Sequence, residues 1–408
     1  MKNQLKLGII GLGCRGYGLL YTVVRMENIV VSAVCDIYED RRERGVKEVE
    51  SVAGYTPFST ANYKDILALG EIDAVIVATS WADHINVAID AMKAGKYVGT
   101  EVGGAYSIGE CWQLVRTHEE TGVPCMMLEN CCYGRKELMV LNMVKKGLFG
   151  EVVHCQGGYH HDLRNQVTNG REDRHYRLVN YMHRNCDNYP THELGPIAKI
   201  LNINRGNCML ALTSMASKAR GLHEYILKEK GEQYDLANYQ FAQGDVVTTI
   251  IKCAHGETIV LTLDTTLPRT YSRGFQVHGT KALYMEDNNS LFIDGVHNEY
   301  VSSWKEHWDN VEKMWEQYDH PLWKGYIPEE DAHGGMDYLE LCAFFDSVRR
   351  QIQTPIDVYD MAAWMSITAL SEQSIAMGGH PVVIPDFTNG RWINREPAPE
   401  GPYCLDKV

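Results

Sequence analysis

Leu5-Lys6-Leu7-Gly8-Ile9-Ile10-Gly11-Leu12-Gly13-Cys14-Arg15-Gly16 is the stretch that decides the fold. An apolar run enters a G-x-G-x-x-G turn, and Leu19, Leu20, Val23 and Val24 then recur at helical spacing. Strand, glycine turn and amphipathic helix are the parts of a dinucleotide-binding unit. Gly11 lets the chain turn sharply, Gly13 lets backbone approach a pyrophosphate, and Gly16 lets the helix pack on the strand. The helix's first amides then face the phosphates. Cys14 and Arg15 lie inside the loop and join the three glycines as cofactor-binding candidates. Residues 30–35 read as a second strand ending in Asp36, about twenty residues after Gly16, where a carboxylate accepts from ribose hydroxyls. Its negative charge would meet a 2′-phosphate, so the expected cofactor is NAD rather than NADP.

Outward from this unit, strand and helix signals alternate as far as residue 128. Helices are expected over 41–52, 81–94 and 107–121, and strands over 55–58, 73–79, 96–100 and 124–128. The rhythm predicts a doubly wound parallel sheet, a Rossmann domain over 1–128, with ligand outside the carboxyl ends of the strands. Thr79, Trp81, His84, Glu101 and Val102 fall at such ends and are further cofactor-binding candidates. Capping of helices is the plainer role for the polar ones among them.

The rhythm changes after residue 150. Strands are expected over 151–159, 245–253, 258–266 and 274–278 without long helices between them. This pattern suits a large, mainly antiparallel open sheet in an α+β substrate domain, 129–408, whose C-terminal helices pack back near the boundary. Residues 163–189 are polar and read as irregular; such long segments commonly carry function. Residues 297–335 also read as loop, with Trp304, Trp308, Trp315 and Trp323 either covering apolar surface or stacking on sugar faces. Helices over 337–350 and 357–377 and a strand over 381–385 follow.

The composition narrows the function. Of 408 residues, 45% are hydrophobic and 23% charged, as in a globular protein of two domains. A formal net charge of −14 argues against nucleic acid as a partner. No run of 18 apolar residues suggests a membrane span, and Met1-Lys2-Asn3-Gln4 leaves no room for an export signal, so a cytoplasmic protein is expected. The twelve cysteines include no C-x-x-C pair and read as reduced thiols. His160-His161-Asp162 point alternately along a strand, so no metal is expected. No G-x-S-x-G elbow suggests a serine hydrolase.

Reactive side chains concentrate in four places: 128–134, 157–164, 184–196 and 333–337. Hydride transfer needs a group to take the alcohol proton, and His, Tyr and Lys are the usual choices. His192 enters a helix with Thr191 as expected N-cap, and Tyr159 ends a strand. A structural hydrogen bond is the competing role for each.

The combination resembles the Gfo/Idh/MocA superfamily of sugar and inositol oxidoreductases. Its usual Glu-Lys-Pro is here Glu101-Val102-Gly103, so the superfamily's catalytic lysine is missing. The chain looks closer to glycoside hydrolase family 109, founded on NAD-using α-N-acetylgalactosaminidases. Carrying this resemblance are Met127-Leu128-Glu129-Asn130-Cys131-Cys132-Tyr133, Tyr159-His160-His161-Asp162-Leu163-Arg164, Arg184-Asn185, Tyr189-Pro190-Thr191-His192, Asp264-Thr265-Thr266, Thr270-Tyr271-Ser272-Arg273, His333-Gly334-Gly335-Met336-Asp337 and Asp357-Val358-Tyr359-Asp360. It departs at Gly103, where the family commonly has Pro, and at Glu193, where it has Gly.

The resemblance implies a carbohydrate substrate and catalytic roles for His192, Tyr159, Tyr189 and Glu129. Arg184, Asn185, Tyr271 and His333 become substrate-binding candidates, and a homo-oligomer, dimer or tetramer, is expected. It further implies glycoside cleavage by transient oxidation at C3, loss of the C2 proton, elimination at C1, addition of water and re-reduction. Such a route needs no flanking pair of carboxylates. Two other readings share the motifs: a dehydrogenase releasing a 3-keto sugar, and a non-catalytic NAD-dependent sugar sensor.

Overall fold

A computed structural model describes residues 4–297, 304–328, 333–398 and 400–407. The chain divides into two compact units. One comprises 1–134, 321–362 and 396–408; the other comprises 135–320 and 363–395.

In the first unit, β1 (Leu5–Ile10), β2 (Ile29–Cys35), β3 (Phe58–Thr60), β4 (Ala74–Val77), β5 (Tyr97–Glu101) and β6 (Cys125–Leu128) form a sheet. Its order is β3-β2-β1-β4-β5-β6, and every pair is parallel. This is the doubly wound order expected from the sequence, with its switch point between β1 and β4. Helices α1 (Cys14–Val23), α2 (Glu39–Ala53), α3 (Tyr63–Leu67), α4 (Trp81–Lys93) and α5 (Ile108–Thr121) connect the strands. β4 is buried at all four positions, as a strand covered on both faces should be. Ser107 and Glu110 close a capping box at the start of α5, and Gly122 ends it in the left-handed region. β3 begins at Phe58 rather than within 55–57, because Pro57 has no amide for the ladder.

In the second unit, α6 (Arg135–Lys145) precedes β7 (Val152–His160). Then come α7 (Arg164–Thr168), α8 (Arg177–His183), α9 (Thr191–Ile200), β8 (Met209–Ala216), α10 (Gly221–Lys230), β9 (Val246–Cys253), β10 (Thr258–Asp264), β11 (Gln276–Gly279), β12 (Ala282–Met285) and β13 (Ser290–Ile293). The helices α11 (Trp315–Tyr318), α12 (Met336–Arg350) and α13 (Val358–Ala376) and the strand β14 (Val382–Val383) complete the order; α12 belongs to the first unit, and α13 crosses from first to second. The eight-stranded sheet runs β13-β12-β11-β7-β10-β9-β8-β14. It is antiparallel except between β7 and β10.

Several details differ from the sequence reading. Residues 163–189 are not wholly irregular, since they hold α7 and α8; their polarity hides the helical period. β8, α6 and α10 arise where no element was expected. Of the loop-like 297–335, residues 298–303 and 329–332 lie outside the described part, and the rest includes 3₁₀ turns and α11. Trp323 is buried and donates Nε1–H to the Tyr133 carbonyl at 3.0 Å. Among the described residues, no helix is long and apolar enough to cross a membrane.

Candidate active site

The first unit supplies the nucleotide loop. Gly11 has φ +95°, and a Cβ there would run into the Ala78 carbonyl at the end of β4. A Cβ on Gly16 would strike the Gly11 carbonyl. Glycine is therefore required at both positions by contact as well as by conformation. Gly13 caps α1, and no side chain caps that first turn, so its amides remain available to an anion. Asp36, buried at the end of β2, accepts from the Leu12 amide at 2.7 Å and the Tyr38 amide at 2.9 Å. Its carboxylate is thus pinned beside the glycine loop, where a ribose would be held. Glycine cradle, uncapped helix start and anchored carboxylate together fit a dinucleotide.

The remaining candidates of this unit are placed individually. Cys14 is exposed. Arg15 does not extend freely: its Nε donates to Glu101 Oε1 at 2.6 Å, and its two terminal nitrogens donate to Asp337 on α12. His333 Nδ1 lies 3.0 Å from the same Asp337 carboxylate. Asp337 also accepts from Asn130 Nδ2 at 2.8 Å. Burial pushes the Asp337 carboxyl up, but His333 and Arg15 overcome it and hold it well below the carboxylate range. His84 is buried with Nε2 3.1 Å from the Thr79 carbonyl, and desolvation lowers it to about 4, so it is neutral at pH 7. Trp81 is buried at the start of α4, and a Cβ on Gly103 would sit 2.5 Å from its ring. The glycine at 103 therefore makes room for this indole. Val102 is buried and donates its amide to Glu101 Oε2 at 3.2 Å. Glu129 is fully buried and caps the 3₁₀ turn Asn130–Tyr133 through the Cys131 amide at 3.2 Å.

The second unit gathers aromatic residues. Tyr159 is the penultimate residue of β7; α9 presents His192 from its first turn, and Tyr189 lies just before it. Ring centroids are 4.4 Å apart for Tyr159 and Tyr189, 5.4 Å for Tyr159 and His192, and 4.8 Å for Tyr189 and His192. A bridge between His160 and Ser272 brings the following loop to the end of β7, so that the Tyr271 ring lies 5.1 Å from His161. The Tyr159 hydroxyl is 2.8 Å from His161 Nδ1. Burial and then the Arg177 charge lower the His161 pKa, which leaves a neutral ring able to share the phenol proton. Arg177, from α8, sits 5.0 Å over the Tyr189 ring and 5.8 Å over that of Tyr159. Burial opposes its charge, but the surrounding tyrosine oxygens outweigh that and raise it.

The backbone around His192 has its own logic. Thr191 is not the N-cap: Pro190 is already in helical geometry and takes that place, so Thr191 is the first helical residue. Pro196 lies inside α9 and has no amide to give the His192 carbonyl four residues earlier. Glu193 is fully buried and pairs with Arg273 Nε at 3.1 Å, while Arg273 also pairs with Glu137. Gly157 on β7 admits this side chain, since a Cβ there would be 2.6 Å from Glu193 Cβ.

The structure thus brings Tyr159, Tyr189, His192 and Tyr271 together. Arg184 is instead tied to Glu372 by two nitrogens, the closer at 2.5 Å, and Asn185 accepts from the Gly244 amide at 3.0 Å. His333 sits with Arg15 in the first unit. His161 and Arg177 complete the aromatic cluster but were not among the sequence candidates. His161 stood in a quoted motif; Arg177 lay in the polar stretch with no spacing to single it out.

Comparison with known proteins agrees with this architecture. Residues 5–129 match the oxidoreductase family with an NAD-binding Rossmann fold, and 133–394 match the C-terminal domain of glycosyl hydrolase 109. An α-N-acetylgalactosaminidase from Tannerella forsythia is 41% identical, covering 97% of this chain and 89% of its own. A glycosyl hydrolase family 109 protein from Parabacteroides distasonis is 39% identical over the same shares. Among solved structures, a levoglucosan dehydrogenase with NADH and levoglucosan superposes with TM-score 0.69 at 16% identity, covering 94% of this chain and all of that one. Myo-inositol 2-dehydrogenase from Lactobacillus plantarum gives 0.66 at 15% with the same coverage. At such identity these two share the fold alone.

Proposed function

Because the chain belongs to glycosyl hydrolase family 109 and joins that family's C-terminal domain to an NAD-binding Rossmann domain, we propose that it cleaves terminal α-linked N-acetylgalactosamine. The name of the Tannerella relative supports that sugar. One observation carries the chemistry: the Tyr159 hydroxyl hydrogen-bonded to a neutral His161, within a cluster that also holds Tyr189, His192 and Tyr271.

Gly11, Gly13, Gly16 and Asp36 hold the cofactor in this reading, with Thr79, Trp81 and His84 lining the strand ends. When bound, NAD supplies a reversible hydride acceptor for C3 of the sugar. His192 takes the proton from the C3 hydroxyl. Tyr159, its own proton handed to His161, then removes the C2 proton, made acidic by the neighbouring carbonyl. The C1 substituent leaves. The hydroxyl of water adds at C1, while water's remaining proton makes good the one carried off by the leaving group. Tyr159 returns its proton to C2, and His192 returns its proton to the C3 oxygen as C3 is reduced again. Tyr189 and Tyr271 orient the ring, and Arg177 favours the anionic form of the two tyrosines beneath it. Glu129, a buried carboxylate that fixes the turn after β6, orients the sugar in this reading.

The test is a panel of α- and β-aryl glycosides in heavy water, read for aglycone release, NADH absorbance and deuterium at C2. Release from the α-N-acetylgalactosaminide with deuterium at C2 and no NADH build-up supports the proposal. Retention of the original C2 hydrogen in every product overturns the elimination route, and steady NADH accumulation replaces it with a dehydrogenase. We further assign the protein to the cytoplasm, supported by twelve cysteines that form no disulfide among the described residues. A homo-oligomer is supported by exposed Met215, Ile250 and Val383 on the second sheet.

A further inference from the structure

A hydrolase that takes its hydride back each cycle has no need to exchange its cofactor. The first unit contains a device suited to that economy. Arg15 stands between Gly13 and Gly16 in the first turn of α1, where an anion would be met by free amides. Its side chain is bound on two sides. Nε reaches Glu101 at the end of β5, and the terminal nitrogens grip Asp337 on α12. Asp337 is held in turn by Asn130 and His333, so the guanidinium is tied to β5 and α12 and, through Asp337, to the turn after β6.

Glu340, fully buried on α12, lies 4.0 Å from Arg15, and neither of its oxygens has a hydrogen-bond partner. Burial, and after it the Asp337 charge, raise its pKa well above the usual range. Arg15 pairs with both Glu101 and Asp337 and offsets part of their charge, which would otherwise repel a diphosphate beside the loop.

We propose that the Arg15–Glu101–Asp337 ion cluster is the latch that sets how long NAD remains bound. It acts through the glycine loop, which cannot open while α12 and β5 hold its fifth residue, so these are positioning residues for the cofactor. The inference rests on the retained-cofactor reading above.

The experiment measures NAD dissociation from the full chain, by diluting loaded protein into excess etheno-NAD and following its fluorescence. Asp337→Asn and Arg15→Lys each remove a charge-assisted bond and should speed release by roughly tenfold to a hundredfold. Val75→Ala, a truncation in the core of β4, lowers the melting temperature without touching the cluster and should leave release unchanged. Release at the original rate from both cluster variants overturns the latch. So does equal acceleration by Val75→Ala, which would make the effect one of general stability. Slower release from Asp337→Asn would mean that a freed Arg15 binds the diphosphate directly, and also overturns it. Rapid exchange from the unsubstituted protein refutes retention itself, whereas slow exchange in every variant refutes only the latch.

Discussion

The Tyr159 hydroxyl lies 2.8 Å from His161 Nδ1, although only His160 separates the two residues in the chain. The strand ends at His160, and that end lets the next side chain turn back onto the phenol. A tyrosine with a neutral imidazole at hydrogen-bonding distance has a place to send its proton.

Removing that hydroxyl should remove the acid–base step. Tyr159→Phe is expected to lower kcat by about 10²- to 10⁴-fold while NAD content stays at the unsubstituted level. His161→Gln should lower it less, because a phenol can still act without its relay. Aglycone release and cofactor absorbance measured on the same samples check both; full activity in Tyr159→Phe would remove the proposed role.

His192→Ala should abolish cleavage and leave the thermal midpoint almost unchanged, since the side chain leaves a site that is not fully buried. Single-turnover mixing with substrate, read as NADH absorbance, separates the roles. No NADH signal places His192 at the C3 step, whereas a persistent signal without aglycone release places it after oxidation.

Gly157→Ala would press a methyl group against Glu193, whose Cβ is 2.6 Å from the position it would occupy. We expect a destabilisation of about 1–3 kcal/mol. Because Glu193 adjoins His192, kcat should fall with it. Chemical denaturation and steady-state kinetics test the two effects together. A variant with unchanged stability would show that α9 can yield at no cost.

Asp187 gives a pH signature. It is buried, and desolvation pushes it up from 3.8 to about 7. Between those values the folded protein keeps a proton that the unfolded chain has released, so stability falls as pH rises through the window. The slope is about 1.4 kcal/mol per pH unit for one proton. Asp187→Asn should therefore gain in melting temperature relative to the parent between about pH 5 and about pH 7, then hold its advantage. A constant difference across that range would show that Asp187 does not titrate there.

Much of this was legible in the sequence for physical reasons. The glycine loop, the apolar run of β4 and the carboxylate at Asp36 obey local rules, and the sheet order follows from them. Tyr159 and His192 stood in short motifs, and the fold brought them together. Arg177 was not legible, because a buried cation among tyrosines has no sequence period and its partners lie on other elements. The Thr191 cap failed because Pro190 can adopt helical geometry and start α9 one residue sooner. Arg15 was read as a phosphate-loop residue; its partner Asp337 is 322 positions away, beyond any local pattern.

That separation has a consequence for biosynthesis. Arg15 leaves the ribosome long before Asp337 exists, and the unit containing both also takes residues 396–408. A chain that stops before α12 lacks the carboxylate that grips Arg15. On the latch proposal it would then load cofactor only loosely, so firm loading becomes a mark of a finished polypeptide.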